Sequence, residues 1–285
     1  MLQDLEYGYL DNQYHPQTPG DEDIVICVQG KGMLLHRDEG DVLTLPTWEK
    51  VKSWCVHWDA WFDAPTVYAF TLQEKRYFLF MGTAGEADDY FTYENATILR
   101  QQTSKNICFA MMTAWHLYQW YRVNRFCGAC GEKTVHDGKE RMMRCEKCSN
   151  MIFPRIAPAA IIGLIHGDKL MLSTYAGRDY KRYGLLAGFI EIGETAEEAV
   201  AREVMEEVGL KVKNIRYYKS QPWGVAGNLS IGYFCDLDGE DTVHLDENEL
   251  ASAEWFDRND LPAKDDGISL TREMIRIFGE GKEPK

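Results

Sequence analysis

Long apolar segments and positive charge are both scarce in this 285-residue sequence. The longest apolar run, Ala157 to Ile165, is interrupted by Pro158 and is too short to span a bilayer. The net charge of −14 argues against a general role in coating nucleic acid or membrane surfaces, but it leaves room for a small phosphorylated ligand whose charge a metal neutralises. The first residues lack the basic segment of a signal peptide, so we expect a soluble, cytoplasmic protein.

Few cysteines are available for disulfides. Of the eight, Cys27, Cys55, Cys108 and Cys235 are scattered in apolar surroundings and are predicted to be buried thiols. The other four form two Cys-x-x-Cys pairs. In a cytosolic chain of this size, such pairs favour a metal site over disulfides.

The two cysteine pairs, Cys127-Gly-Ala-Cys130 and Cys145-Glu-Lys-Cys148, are separated by fourteen residues. Two thiolate pairs on turns match tetrahedral zinc (Zn²⁺) with four sulfur ligands. Because four ligands leave no open coordination position, we predict a structural rather than a catalytic site. Two redox-active pairs are disfavoured, since no βαβ pattern surrounds either one. We interpret this segment as a zinc ribbon that acts as a clip between domains.

The chain before the ribbon is predicted to be rich in β-structure and to end in a long helix. Short β-branched and aromatic runs, separated by turn residues, predict strands over 24–28, 42–45, 66–72 and 76–80. Apolar residues then recur at intervals of three and four from Glu94 to Arg122, which predicts an amphipathic helix. The cluster of Trp48, Trp54, Trp58 and Trp61 is assigned to a core or a subunit interface rather than to base stacking.

After the ribbon, strands and helices alternate, which is typical of an α/β domain. Residues 153–158 form a linker. The predicted elements are strands over 159–165, 169–175, 212–219, 230–236 and 253–256, a glutamate-rich helix that ends near Gly209, and a helix over 270–278. Thr195 and Glu198 form a capping-box pattern at the start of the glutamate-rich helix.

That helix carries three glutamates, Glu203, Glu206 and Glu207, at positions i, i+3 and i+4. This spacing places the three carboxylates on one face. Like charges at this spacing repel, whereas a hard cation such as magnesium would turn the repulsion into attraction. A solvated, charge-rich helix face explains the spacing equally well.

The stretch resembles the Nudix box, written G-x5-E-x7-R-E-U-x-E-E-x-G-U with U a bulky aliphatic residue. Every fixed position is filled, by Gly188, Glu194, Arg202, Glu203, Val204, Glu206, Glu207, Gly209 and Leu210. The resemblance implies hydrolysis of a nucleoside diphosphate linked to another group, with Mg²⁺ or Mn²⁺ as cofactor. It implies that the three helix glutamates hold the metal together with Ala187, and that Arg202 and Glu194 brace the loop against the helix.

A zinc ribbon joined to a Nudix box is similar to the NADH pyrophosphatase branch of that family. The likeness covers nearly the whole chain and implies a Nudix α/β/α sandwich preceded by a small β-rich domain, a helix and a zinc ribbon. The expected domains are 1–122, 123–153 and 154–285. It further implies cleavage of NADH or NAD to nicotinamide mononucleotide and AMP, and a homodimer.

The branch also carries the signature S-Q-P-W-P-F-P-x-S, of which Ser220-Gln-Pro-Trp223 matches and the stretch from Gly224 to Asn228 departs. Glycines at 224 and 227 predict a looser loop than prolines would give. The resemblance implies substrate contacts from Phe153, Ala187, Phe189, Gln221, Pro222, Trp223 and Asn228. For Phe153 and Phe189 a core role is equally open. The branch also has an acidic residue at the position of Ser252, for which Glu249 is a candidate substitute.

Three other functions stay open. The cap of NAD-capped RNA presents the same bond, and Arg178, Lys181 and Arg182 would then offer a local basic path. ADP-ribose or a dinucleoside polyphosphate are alternative substrates. A non-enzymatic nucleotide sensor is the alternative of a different class, and it would not need a complete set of metal-binding carboxylates.

Overall fold

The structure is a computed structural model, and it describes residues 1–5, 9–37, 42–54, 57–58, 65–95, 104–177, 182–262 and 265–285. These residues form two compact units. One contains 1–3, 156–223 and 227–285, and the other contains 4–155 and 224–226. We call them the C-terminal unit and the N-terminal unit. None of the described helices is long and apolar enough to cross a membrane.

The N-terminal unit begins with short, mostly antiparallel sheets. One has the spatial order β1 (Leu10–Asp11), β7 (Thr66–Leu72), β8 (Lys75–Phe80) and β2 (Ile24–Ile26), with β2 parallel to β8. A second joins β10 (Phe91–Glu94), β4 (Gly32–Arg37) and β3 (Val28–Gln29), with β5 (Leu43–Thr44) also paired to β4. The remaining elements are a pair formed by β6 (His57–Trp58) and β9 (Gly82–Thr83), and the short helix α1 (Trp48–Val51). Apolar residues from several of these strands share one core, which includes Val25, Leu34, Phe78 and Phe80.

Helix α2 (Lys105–Val123) follows, and its start differs from the prediction. Ser104 caps it by accepting a hydrogen bond from the Ile107 N–H at 3.4 Å. The predicted start at Glu94 is wrong, because Glu94 is the last residue of β10 and pairs with Met33. The zinc ribbon that comes next is a three-stranded antiparallel sheet of β11 (Thr134–His136), β12 (Met143–Cys145) and β13 (Met151–Ile152).

A histidine ties the ribbon to the rest of the N-terminal unit. The Nε2 atom of His136, on β11, lies 2.8 Å from the Tyr121 hydroxyl of α2. Its Nδ1 atom lies 3.2 Å from the hydroxyl of Tyr14. Because both ring nitrogens are engaged, the ribbon is anchored at one point to the helix and to the segment after β1.

The C-terminal unit is built on one six-stranded mixed sheet. Its spatial order is β17 (Val212–Trp223), β18 (Asn228–Leu237), β14 (Ala157–His166), β15 (Lys169–Tyr175) and β19 (Leu250–Asp257), with β16 (Leu186–Phe189) also paired to β14. Strands β14 and β18 are parallel, and the other pairs are antiparallel. Nearly continuous burial along β14 and β15 supplies apolar side chains to both faces of the sheet, because successive side chains point to opposite faces.

Each face of this sheet is covered by a helix. Helix α3 (Ala196–Val208) packs Val200, Val204 and Val208 into one core. Helix α4 (Leu270–Gly279) packs Met274 and Phe278 into a second core on the other side. The arrangement is the α/β/α sandwich expected from the sequence.

The S-Q-P-W segment lies in a strand rather than in a loop. Strand β17 was predicted to end at Lys219, but it continues through Trp223, which pairs with Asn228. Only residues 224–227 form the turn between β17 and β18. The loop predicted over 224–228 is therefore confined to four residues.

Several predicted features fall on residues whose structure is not described. The thiol of Cys55, Arg178 and Lys181 of the suggested basic path, and the side chains of Trp58 and Trp61 lie outside the described residues. The other predicted buried thiols, Cys27, Cys108 and Cys235, are buried, and burial raises the pKa of Cys235 to about 12.

Candidate active site and zinc centre

The start of α3 is fixed by its capping box. The Thr195 hydroxyl accepts from the Glu198 N–H at 3.2 Å, and the Glu198 carboxylate accepts from the Thr195 N–H at 2.8 Å. At the other end Gly209 adopts a left-handed conformation with φ of 69° and its N–H donates to the Met205 carbonyl at 3.0 Å. Both ends were predicted from the sequence, and together they fix which side chains face the sheet.

Glu203 fills the space that Gly188 leaves free. The Glu203 side chain points from α3 onto β16, and the residue is only 8% exposed. A Cβ built at position 188 would lie 1.9 Å from the Glu203 carboxyl carbon. Residue 188 must therefore be glycine for this carboxylate to reach the strand.

Arg202 connects the loop to the helix through the carboxylates around it. Its Nε and Nη2 atoms donate to the two oxygens of Glu194 at 2.7 and 2.9 Å, and Nη2 also donates to the Phe189 carbonyl at 2.9 Å. Its Nη1 atom donates to Glu203 at 2.7 Å and to Glu206 at 2.9 Å. The hydrogen bonds from Arg202 lower the pKa of Glu194 to about 2, so this bracing ion pair is charged at neutral pH.

Glu207 is the most deeply buried carboxylate of α3, with 1% of its surface exposed. Burial, together with the negative charges of Glu203 and Glu249, raises its pKa to about 8, while the N–H of Ala187 opposes the shift by hydrogen bonding to the carboxylate. Its Oε2 atom has no hydrogen-bond partner among the described residues. A buried carboxylate oxygen without a donor is well suited to a cation, because a cation supplies the missing attraction.

The third glutamate of the stripe is placed differently. The Glu206 side chain is 57% exposed and accepts a hydrogen bond from Arg202 at 2.9 Å. The stripe is therefore not a uniformly solvated face, since Glu203 and Glu207 point inward toward β16.

Glu249 is a fourth carboxylate of this cluster. It lies just before β19, where its carbonyl accepts from the Ala176 N–H at 2.9 Å, and its charge raises the pKa of both Glu203 and Glu207. Ser252 instead pairs with Thr174 on β15, and the two hydroxyls are 2.8 Å apart. The resemblance places the acidic residue three positions before Trp255, at Ser252. The register of β15 and β19 shifts at a bulge between Thr174 and Tyr175, which no sequence signal reveals.

The side chains expected to contact substrate differ widely in exposure. Phe189 is 53% exposed next to Gly188, Pro222 is exposed, and Trp223 is partly buried at the end of β17. Asn228 is 8% exposed, and its Oδ1 atom has no hydrogen-bond partner among the described residues. Gln221 is 1% exposed and its amide is fully engaged within the protein.

Two further candidates have exposed side chains. Phe153 belongs to the N-terminal unit and is 50% exposed, so it is not part of that unit's core. Arg182 is the described member of the suggested basic path, and it is exposed.

The four ribbon cysteines form a compact sulfur cluster. Their Sγ atoms all lie within 4.8 Å of one another, with Cys127 and Cys148 3.6 Å apart and Cys130 and Cys145 3.5 Å apart. Tetrahedral zinc with bonds of about 2.3 Å places its sulfurs roughly 3.8 Å apart, so this donor set fits the ion. N–H groups of Ala129 and Cys130 bond to the Cys127 sulfur and lower its pKa to about 6, which favours the thiolate that binds metal.

The two cysteine turns have the same backbone pattern. In one, the Gly131 N–H donates to the Cys127 carbonyl at 2.8 Å with a φ of 73° at Gly131. In the other, the Ser149 N–H donates to the Cys145 carbonyl at 2.9 Å with a φ of 60° at Ser149. These left-handed residues turn each pair of thiols toward a common point.

Comparisons with known proteins agree with this geometry. Residues 155–277 match the family model described as NUDIX domain, and residues 122–153 match the model described as NADH pyrophosphatase zinc ribbon domain. The NAD-capped RNA hydrolase NudC of Shigella flexneri is 39% identical over 159 residues, which are 56% of this chain and 62% of that relative. The protein of the same name from Escherichia coli O9:H4 (strain HS) is 38% identical over the same shares. The match thus spans about three fifths of the length of these relatives.

Among solved structures, a NUDIX hydrolase from Nitrosomonas europaea is similar at 22% sequence identity. Its TM-score is 0.47, and the match covers 55% of this chain and 91% of that structure.

Proposed function

Because the chain belongs to the Nudix hydrolase superfamily and carries the zinc ribbon of NADH pyrophosphatases, we propose that it is a metal-dependent pyrophosphohydrolase of a nicotinamide dinucleotide. Water cleaves the bridging pyrophosphate of NADH or NAD, and the products are AMP and nicotinamide mononucleotide, which is in its reduced form when the substrate is NADH. The observation that carries the proposal is the carboxylate cluster around Glu207. Glu207 is buried beside other carboxylates, and its Oε2 atom has no hydrogen-bond donor among the described residues.

In this proposal Glu203, Glu206, Glu207 and Glu249 hold magnesium or manganese, with Ala187 contributing from β16. When bound, such a cation neutralises phosphate charge and lowers the pKa of a bound water. Arg202 holds Glu203 and Glu206 in place through its Nη1 atom and ties the loop to the helix through Glu194. Its role is orientation, since its guanidinium donates to carboxylate and carbonyl oxygens of the protein.

The proposed substrate pocket uses the other residues that the resemblance implies. Phe189 follows Gly188 directly and offers an exposed ring for packing on the dinucleotide. Trp223 offers a second aromatic surface. Asn228 offers a buried carbonyl oxygen that lacks a donor, which favours a ligand group with N–H bonds such as an amide or an exocyclic amine. Ala187, Pro222 and Phe153 complete the set of substrate contacts that the resemblance implies.

NAD-capped RNA is a second candidate substrate, because the relatives at 38–39% identity are named for its hydrolysis. The cap contains the same pyrophosphate bond. The net charge of −14 disfavours a long RNA footprint, so contacts would be confined to the first nucleotides near a local basic residue such as Arg182.

The remaining predictions belong to the same proposal. The domains run over 1–122, 123–153 and 154–285, the zinc is structural, the enzyme is a homodimer, and it acts in the cytoplasm.

One turnover experiment tests the proposal. Purified protein is assayed with magnesium against NADH, NAD, ADP-ribose, FAD, diadenosine polyphosphates and a short NAD-capped RNA. We expect the highest kcat/KM for a nicotinamide dinucleotide or for the capped RNA. A tenfold preference for ADP-ribose or a diadenosine compound, about 1.4 kcal/mol in transition-state binding, contradicts it. Turnover of none of these substrates would support a nucleotide sensor.

Two substitutions connect that turnover to the carboxylate cluster. Glu203→Gln and Glu207→Gln each remove a proposed metal ligand while they preserve side-chain volume. Both should reduce kcat by orders of magnitude with retained fold, as judged by circular dichroism. Near-normal turnover in both variants would show that Glu203 and Glu207 do not hold a catalytic metal.

A further inference from the structure

Gln221 is the second residue of the S-Q-P-W segment, and the protein itself occupies its side-chain amide. The residue is 1% exposed. Its Nε2 atom donates to the Ile268 carbonyl at 2.8 Å and to the Gln3 side-chain oxygen at 3.0 Å. Its Oε1 atom accepts from the Leu270 N–H at 2.7 Å. All of these residues belong to the C-terminal unit.

This hydrogen bonding leaves little for a ligand. A glutamine amide has two N–H donors and one acceptor oxygen. Both donors of Gln221 are used, and its oxygen has a partner at close distance. To bind a substrate, the Gln221 amide would have to break one of these buried hydrogen bonds. The cost of breaking that bond opposes binding.

The bonds join three separate segments. Leu270 is the first residue of α4, and its N–H is one of the groups that a helix leaves without an internal partner. Gln221 supplies that partner from strand β17. Gln3 adds a second link, because its Nε2 atom also donates to the Ser220 carbonyl at 3.0 Å. Strand β17, the start of α4 and residues 1–3 are therefore held at one point, which we call the Gln221 clamp.

The clamp lies next to the residues that the proposed pocket uses. Trp223 is two positions further along β17, so by strand periodicity it lies on the same face as Gln221. Trp223 pairs with Asn228, and Gln221 pairs with Ser230 on the same neighbouring strand. A shift of β17 relative to α4 would move Trp223 with it.

We infer that Gln221 is a positioning residue that sets the place of Trp223 through the clamp, and that it is not a substrate ligand. The inference rests on the proposed function for its effect on substrate binding. Asn228, on the neighbouring strand β18, differs from Gln221. Its buried Oδ1 atom is an acceptor that has no hydrogen-bond partner among the described residues. The side chain expected to read substrate is thus Asn228.

The test uses Gln3, which belongs to the clamp and is not among the residues proposed to contact substrate. Gln3→Ala, Gln221→Ala and the double variant are made in the full chain. We expect each single change to lower Tm and the double change to lower it by clearly less than the two losses added, because both remove the same bond. We also expect Gln3→Ala to raise KM for NADH about threefold to tenfold while kcat stays within twofold of wild type.

Gln13→Ala is the matched control, since Gln13 is an exposed glutamine of the N-terminal unit. It should change neither Tm nor KM. Additive Tm losses would overturn the clamp. A wild-type KM in Gln3→Ala beside a raised KM in Gln221→Ala would overturn the positioning role and make Gln221 a direct ligand. If the wild-type protein cleaves no dinucleotide, the proposed function fails, and the Tm comparison alone decides whether the clamp exists.

Discussion

Gly188 and Glu203 are in direct steric relation, because the Glu203 carboxyl group occupies the place where any larger residue at 188 would put its Cβ. The glycine of the loop and the glutamate of the helix therefore act as one unit. A methyl group at 188 would displace the carboxylate or separate β16 from α3.

We expect Gly188→Ala to reduce kcat by orders of magnitude, since the 1.9 Å approach of the added Cβ to Glu203 leaves no room for a small adjustment. Steady-state kinetics with NADH and magnesium measures the effect. Gly184→Ala is the control, because a Cβ at 184 meets no atom within 4 Å. Equal activity in the two variants would mean that Glu203 can leave β16 without loss.

Burial of Glu207 predicts a pH-dependent stability. The pKa of this carboxyl in the folded protein is about 8, against 4.5 for the exposed group. The charged form is therefore disfavoured by folding. Its destabilising effect is absent below pH 4.5, grows as the pH rises toward 8, and is complete above that value.

Glu207→Gln should accordingly raise the Tm of protein dialysed free of magnesium and manganese more at pH 9 than at pH 5. Each kcal/mol relieved corresponds to roughly 2–4 °C for a protein of this size class. Thermal unfolding at both pH values measures it. Glu206→Gln is the control, because its side chain is 57% exposed and should give no such difference. The opposite pH order would show that Glu207 is charged and paired in the metal-free protein.

The sequence predicts the helices and strands of the C-terminal unit well, but it does not predict how deeply individual side chains are buried. The strand over 169–175 and both ends of α3 were placed correctly, since a short apolar run after a turn and capping residues are local signals. Helical spacing put Glu203 and Glu207 on one face but did not say that β16 would bury them. Pro222 made the end of β17 look like a loop, although proline is tolerated at the edge of a sheet, where β17 lies.

The zinc centre predicts a metal-dependent stability. Cys145→Ser removes one of four sulfurs that lie within 4.8 Å of one another. We expect loss of the roughly one zinc per chain and a lower Tm, because the binding energy of a structural ion contributes directly to folding. Metal analysis and thermal unfolding test this. Cys27→Ala is the control. It should keep its zinc, because Cys27 is a buried thiol outside the four-cysteine cluster of the same unit. Native protein without zinc would contradict the assignment.

The packing around Gly224 is closer than the loose turn that glycine at this position predicts from the sequence. Proline at this position would be expected to stiffen the turn, but a Cβ at 224 would lie 2.3 Å from the Met112 carbonyl oxygen of α2. We therefore expect Gly224→Pro and Gly224→Ala to lower Tm and raise KM rather than to sharpen substrate preference. Gly138→Ala is the control, because a Cβ there meets no atom within 4 Å. A Gly224→Pro variant with higher Tm and lower KM would show that the close packing is not needed.

Glu249 and Ser252 give the sharpest test of the carboxylate cluster, because they compete for one role. The charge of Glu249 acts on both Glu203 and Glu207, whereas the Ser252 hydroxyl is engaged with Thr174 at 2.8 Å. We expect Glu249→Gln to reduce kcat by at least about a hundredfold through loss of a metal-binding or water-orienting carboxylate. Ser252→Ala should keep kcat within a few fold of wild type.

The double variant Glu249→Gln with Ser252→Glu should not restore turnover. Ser252 pairs with Thr174, and the bulge after Thr174 lies between Ser252 and Glu249, so the two positions are not equivalent along the strand. Restored turnover in that double variant would place the functional carboxylate at residue 252 and remove Glu249 from the site.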